Sequence, residues 1–354
     1  MIRFILLTGI WISLASMVHA QIGGTTVFSF LELPANSRLS ALGGMNNGVQ
    51  DNDPSLNWSN PASSNIKGNG GLSFSQAYVF QDISHGSVIY QGHIKKGDFN
   101  LHGGIRYINY GDFQGMDEFG FNTSIFEGSE QALMIGASKQ LYERLTVGLN
   151  VLYVNSALES YTSSGVSSDW GLLYEIAEKR ISYAFVIRNL GVHTGSNFTD
   201  RRGKLPTDVQ FTLTKRLEYL PFRFSVSYHH LNRWDLLYYD EGLEPDILII
   251  GGDEELPEPN LVLDNFLRHF SLNGELLIGK TEGMRLQFGY NHQRQREMQL
   301  NNWSTLSGLS LGLELKVKRF RLGYARGRYH LAGGANHISI ATNINRFGKN
   351  KLLQ

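Results

Sequence analysis

Period-two alternation is the feature that most constrains this chain. Leu145, Val147, Leu149, Val151 and Tyr153 alternate with Thr146, Gly148, Asn150 and Leu152. Phe222, Phe224, Val226 and Tyr228 alternate with Arg223, Ser225, Ser227 and His229, and Leu309 to Val317 alternates with Ser310, Gly312, Glu314 and Lys316. Side chains of a strand point to opposite faces in turn, so such a run has one apolar and one polar face. The spacing predicts about fourteen strands, roughly 71–80, 84–95, 98–110, 129–140, 144–156, 165–178, 180–189, 206–217, 221–232, 268–280, 283–292, 304–317, 319–329 and 335–345. Most reach the ~9–11 residues that a tilted strand needs to cross a bilayer.

The connections alternate in length. Every second one is tiny, around Lys96-Gly97, Tyr142-Glu143, Lys179, Glu218-Tyr219-Leu220, Thr281-Glu282 and Lys318. Those between are mostly long, about 111–128, 190–205, 233–267 and 293–303. Short turns at one end and longer loops at the other are the pattern of an outer-membrane barrel. The expected fold is therefore all-β, a transmembrane antiparallel β-barrel of about fourteen strands. After the leader no apolar run reaches the ~18 residues of a candidate spanning helix, so insertion must be by strands.

A leader is expected at 1–20, with basic Arg3, an apolar run from Phe4 to Val18 and Val18-His19-Ala20 before Gln21. Residues 21–70 lack sustained alternation and are rich in Gly, Asn, Ser and Pro. They carry a short possible helix, Pro34 to Leu42, stopped by Gly43-Gly44, and suit a plug in the lumen. The barrel is expected over 71–347, with a tail at 348–354. The apolar faces must meet lipid, because an Arg or Lys on the lipid side at the midplane costs ~2–4 kcal/mol. Arg106, Arg223, Arg285, Glu314, Lys316 and Arg321 are accordingly expected in the lumen, either lining a polar channel or plug contact or filling the barrel with mutual salt bridges. The longest loop, 233–267, carries Asp253, Glu254, Glu255, Pro257 and Glu258. An acidic, turn-rich loop on a rigid scaffold is external and is the candidate partner-binding surface.

Composition agrees. The 354 residues include 39 Gly, 20 Phe and 16 Tyr, and no Cys. The formal net charge is zero, so no nucleic-acid footprint is expected.

Residues that could carry chemistry do not assemble into a motif. Gly251-Gly252-Asp253-Glu254-Glu255 sits in a Pro-bounded acidic loop rather than a nucleotide-binding domain. Asp51-Asn52-Asp53 fails as a calcium loop, since Leu56 and Ala62 stand where Gly and Glu are needed; a turn is expected. His229 and His230 are adjacent on a strand, so they should face opposite ways and not share a metal. His330 and His337 flank Gly333-Gly334 and could approach each other. His93 and His102 lie on neighbouring strands with no ordered Ser partner. No nucleophile elbow, phosphate loop or zinc-hydrolase motif occurs, so neither an enzyme nor a cofactor is expected.

The N-terminal block carries a further pattern. Leu33-Pro34-Ala35-Asn36-Ser37-Arg38-Leu39-Ser40-Ala41-Leu42-Gly43-Gly44 is followed by Asp51-Asn52-Asp53-Pro54-Ser55-Leu56 and by Asn60-Pro61-Ala62. This resembles the start of the long-chain fatty-acid transporter superfamily of outer-membrane barrels. Gly43, Gly44, Asp51, Asp53, Asn60, Pro61 and Ala62 carry the likeness. Gln21 to Thr25, Phe28-x-Phe30-Leu31-x-Leu33-Pro34 and Arg38-x-x-Ala41-Leu42-Gly43-Gly44 are more specifically similar to the PorQ family of the type IX secretion system of Bacteroidetes. Ser63-Ser64 departs from the Leu or Met usual in the superfamily, and the chain does not end on an aromatic. The resemblance implies an outer-membrane component of the cell-surface attachment complex. Such a component holds a PorZ-like surface partner beside PorU-like and PorV-like proteins while cargo is processed and joined to lipopolysaccharide. Outer-membrane lipid is the other implied contact. The rival expectation, of a different class, is a diffusion transporter for long-chain fatty acids or other hydrophobic compounds.

Overall fold

The computed structural model describes residues 26–80, 82–197, 203–237, 261–279, 281–298, 307–330 and 333–347. The expected leader 1–20, the acidic stretch Asp253 to Glu258 and the expected tail 348–354 lie outside the described residues. Fourteen strands form: β1 (Gly71–Tyr78), β2 (Ser84–Ile94), β3 (Phe99–Met116), β4 (Asn122–Tyr142), β5 (Leu145–Leu158), β6 (Tyr161–Ile176), β7 (Ile181–Ser196), β8 (Asp208–Arg216), β9 (Phe222–Tyr228), β10 (Phe270–Ile278), β11 (Met284–Asn291), β12 (Leu309–Val317), β13 (Phe320–His330) and β14 (Gly333–Asn343). Each pairs antiparallel with its chain neighbours, and β1 pairs with β14, from Gly71 opposite Asn343 to Tyr78 opposite Asn336, closing a barrel. Closure leaves no free sheet edge around the barrel wall among the described residues, which is what hydrocarbon demands of backbone N–H and C=O groups.

The two faces separate as the alternation predicts. Phe74, Tyr90, Leu133, Ile135, Val151, Tyr153, Trp170, Phe288, Leu311 and Ile338 are exposed on the outside. Arg106, Glu130, Asn150, Asp169, Gln210, Glu275, Arg285 and Glu314 are buried within. A water-soluble surface does not carry an apolar belt of this extent; the exterior is built for lipid.

Three details depart from the sequence reading, the first being that β7 runs on to Ser196, into the expected loop 190–205, where it stays paired with β6 as far as Ser163 opposite Ser196. The expected loop 111–128 is largely strand, because β3 and β4 continue as a ribbon to a turn at residues 117–121. Asp112 and Gly115, which resemble turn residues, fall at irregularities of register between Asn109 and Asp112 and between Gln114 and Met116. Neighbouring strands stop short: β2 ends its pairing with β3 at Asn109, and β5 meets β4 only from Gly128. The ribbon 110–127 therefore stands clear of the barrel wall at the long-loop end. The expected loops 233–267 and 293–303 contain helices α2 (Leu261–Arg268) and α3 (His292–Glu297).

Residues 28–64 lie inside. Helix α1 (Ser37–Ala41) packs on β11 to β14 and β1, the turn Pro54–Trp58 on β1 and β2, and the turn Pro61–Ser63 on β4 to β6. One segment can touch strands all round a closed barrel only from its interior. Asn36 caps α1 through Oδ1, which accepts from Leu39 N at 2.8 Å, and the helix ends at Gly43 and Gly44 with φ of 77° and 98°. Positive φ is the conformation that glycine adopts without strain. Close approach requires glycine on the wall as well. A Cβ at Gly148 would sit 2.4 Å from the Pro61 carbonyl carbon, and one at Gly171 would sit 2.1 Å from Asn60 Oδ1.

Candidate functional site in the barrel interior

Three anchorages hold the interior segment to the wall, and the first is ionic. Arg38 on α1 reaches Asp51 at 2.8 Å, Asp53 at 3.2 Å and Glu275 on β10 at 2.9 Å. Glu275 also accepts from Arg223 on β9 at 2.5 Å. Arg285 on β11 meets Asp51 at 3.4 Å, Glu282 at 3.1 Å and Glu314 on β12 at 3.1 Å. Arg321 on β13 pairs with Glu314, and Arg216 with Glu282 at 2.8 Å. Arg38, Arg216, Arg223, Arg285 and Arg321 thus face Asp51, Asp53, Glu275, Glu282 and Glu314, and the cluster is electrically neutral. Burial by itself would push the Asp51 carboxyl up; Arg38, Arg285 and Arg223 instead hold it well below the usual carboxylate range.

The second anchorage is a set of turn caps shared with the wall. Asp53 Oδ1 accepts from Ser55 N at 3.0 Å and from Ser55 Oγ at 2.6 Å. Asn60 Oδ1 accepts from Ala62 N at 2.9 Å, while its Nδ2 donates to Asn47 O at 2.8 Å. Pro61 and Ala62 lie in the notch left by Gly148 and Gly171. Ser64, at the departure from the superfamily pattern, accepts at its carbonyl from Ser138 Oγ at 3.2 Å. Asp51-x-Asp53 is therefore a turn and an ion-pair partner.

The third is Arg106 on β3. Its guanidinium donates to the carbonyls of Phe30 at 2.7 Å, Leu33 at 2.8 Å and Leu31 at 3.1 Å, and lies over the Phe30 and Trp58 rings. Salt-bridge filling, one of the two sequence expectations for lumen charges, describes Arg223, Arg285, Glu314 and Arg321. It does not describe Arg106, which binds the segment's backbone. Lys316 is exposed and lines, with Asp51, Asp53, Arg285, Arg319 and Arg321, a cavity of about 690 Å³ at the short-turn end.

The expectation of a polar lumen needs correction on one side. Ile89, Ile108, Ala132, Met134, Leu152 and Val154 face inward and pack on Phe28, Phe30, Leu31, Leu56 and Trp58. Nothing in the alternation distinguishes an inward apolar residue that meets an interior segment from an outward one that meets lipid.

The histidines also differ from expectation. His230 has φ 56°, which breaks the alternation and turns its ring toward His229; their Nδ1 atoms lie 2.6 Å apart. The two rings therefore do not face opposite ways. His337 packs edge-on against His85, centroids 5.2 Å apart, and contacts Ser75 at 3.0 Å; the His330 side chain lies outside the described residues. His93 contacts Asn100 at 2.9 Å and His102 contacts Asn150 at 2.6 Å.

Fold and interior together define a fourteen-stranded β-barrel with a lipid-facing exterior and a chain segment packed in its lumen. No protein-family model matches the chain, and no curated protein matches it. Among solved structures it is similar to the Pseudomonas putida toluene transporter TodX, with a TM-score of 0.49 and 13% identity over 87% of this chain and 96% of that one. It is also similar to a Pseudomonas aeruginosa FadL homologue, with a TM-score of 0.47 and 9% identity over 87% and 98%. A third similarity is to Haemophilus ducreyi BamA lacking POTRA domains 1–3, with a TM-score of 0.33 and 10% identity over 77% and 70%. At these values the assignment of the fold rests on the closed strand ladder itself.

Proposed function

We propose that this chain is an outer-membrane barrel with a sealed lumen that serves as a docking base at the cell surface, in the manner of a PorQ-like component of the type IX secretion system. The observation that carries the reading is the triple anchorage of residues 28–64 across the lumen. A segment tied by a buried ion-pair cluster, by Asn60-Pro61-Ala62 in a glycine notch and by Arg106 does not suit a passage that must open. The ribbon 110–127, which stands clear of the wall at the long-loop end, gives the barrel a surface to offer a partner. In this reading the long-loop end holds a PorZ-like protein, with PorU-like and PorV-like proteins in the same complex, while cargo is joined to lipopolysaccharide. The barrel itself performs no catalytic step. Affinity purification from intact outer membrane tests this: recovery of PorZ-like and PorU-like proteins supports it. Normal cargo anchoring in a strain lacking the chain contradicts it.

A second reading is diffusion of long-chain fatty acids or other hydrophobic compounds. The inward apolar wall from Ile89 to Val154 favours it, as an apolar ligand needs such a lining. That wall is occupied by Phe28, Phe30, Leu31, Leu56 and Trp58, so transport requires the segment to leave. Uptake of a labelled long-chain acid into proteoliposomes distinguishes the two.

A further inference from the structure

At the long-loop end of the lumen, β8 begins with Asp208 and β9 runs out into His229 and His230. The strand register would place the His230 side chain outside. Its left-handed backbone, φ 56°, lets the Leu231 N–H bond Val209 O at 3.0 Å and the His230 N–H bond Asp208 Oδ1 at 2.7 Å. One donor atom from each of Asp208, His229 and His230 then falls within 4.8 Å of the others.

We infer that Asp208, His229 and His230 form a site for a divalent transition-metal ion of the zinc class. Imidazole with one carboxylate is the donor set such ions prefer. Tetrahedral coordination with bonds of ~2.0–2.1 Å puts donor atoms about 3.3 Å apart. The two Nδ1 atoms at 2.6 Å and the His230 Nδ1 to Asp208 Oδ1 separation of 3.9 Å bracket that spacing. Small ring rotations would equalise them, and water would complete the shell.

Two bare ring nitrogens at hydrogen-bond distance need one proton between them. Whichever ring gives it, His229 Nε2 stays buried without a hydrogen-bond partner. A cation held between the two Nδ1 atoms would take the place of that shared proton. The surroundings are arranged as an outer shell. Gln210 Nε2 donates to Asp208 Oδ2 at 2.5 Å, and Asn47 of the interior segment donates to Gln210 Oε1 at 2.5 Å. Such second contacts orient a ligating carboxylate. His269, the nearby third imidazole, is engaged at both ring nitrogens by the carbonyls of His229 and Trp234, at 2.9 and 3.0 Å, and is not a ligand. Arg233 and Arg294 add positive charge near His229, and Glu32 adds negative charge near Asp208. The site therefore suits a moderate affinity. Its effect would be to tie the Leu231–Leu236 turn to the start of β8, where the long loop leaves the barrel.

The test uses the full chain without a histidine tag, folded in detergent, with Zn²⁺ alone as the probe and calorimetry and metal analysis as the readouts. The expected result is one bound equivalent, with affinity at least tenfold weaker in both His229→Gln and His230→Gln and unchanged in His93→Gln. Co²⁺ in place of Zn²⁺ should show the visible bands of a four-coordinate site. Heat-modifiable gel migration checks that each variant is a folded barrel. His230, at the rim, is the variant least coupled to folding. No bound equivalent, or equal binding by His230→Gln and the unaltered chain, would overturn the inference.

Discussion

Arg38 and Glu275 form a two-bond ion pair across the lumen, with Nε to Oε1 at 2.9 Å and Nη2 to Oε2 at 3.3 Å, and both side chains are 2% exposed. They are 237 residues apart in the chain. The pair joins the interior helix to the wall at a point that neither could occupy charged and alone. Removing one partner leaves an uncompensated buried charge, which costs ~3–5 kcal/mol. Arg38→Leu should therefore destabilise the folded protein by about that much, read as a lowered denaturant midpoint in detergent. Arg38→Lys should recover little, because an ammonium cannot make the two parallel bonds.

The glycine notch gives a prediction of different character. In Gly171→Leu the wall strands remain compatible with closure, but the new side chain occupies the space of Asn60 and Pro61. The variant should still migrate as a folded barrel, while residues 28–64 become cleavable by added protease. Unchanged protection would mean that the notch does not hold the segment.

The contribution of Asp51 should be lost only in strong acid. Burial opposes the charge on Asp51, but Arg38, Arg285 and Arg223 outweigh it, so its folded pKa lies below the unfolded value. The stability it contributes is fully present above the unfolded carboxylate pKa of ~3.9 and is lost as pH falls from there toward the folded value. The Asp51-dependent protection of the Ser37 to Leu42 amides, read as the difference in protection factor from Asp51→Asn, should be constant from neutral pH down to about 4 and shrink only below it. A difference from Asp51→Asn that has already vanished near pH 6 would contradict this.

The lipid face is tested by Ile135→Arg, at an outward position 67% exposed on β4. It should lower stability by up to ~2–4 kcal/mol in bilayers if it lies at the midplane. The measurement is reversible unfolding into lipid vesicles, and a neutral effect would move Ile135 out of the hydrocarbon.

Much of this architecture was legible in the sequence. Strict alternation located all fourteen strands to within a few residues at most ends, because one face of each is held to lipid. Gly43-Gly44 marked the end of α1, but the helix begins at Ser37, after the Asn36 cap, and not at Pro34. What alternation cannot carry is the partner of an inward side chain. Arg106 and Arg285 look alike in sequence, yet one binds backbone carbonyls and the other carboxylates, since that depends on what lies opposite in the lumen. The length of the β3–β4 ribbon was hidden because Asp112 and Gly115 serve a bulge as readily as a turn. His230 was misplaced because a single left-handed residue reverses the face of everything about it, and nothing in His-His-Leu-Asn announces that.

Ion conductance of the purified protein in a planar bilayer tests the central claim most directly. A lumen closed by residues 28–64 should leave the unaltered chain without steady current, while Gly171→Leu should conduct. Steady open-channel current through the unaltered barrel, equal to that of the variant, would contradict the account.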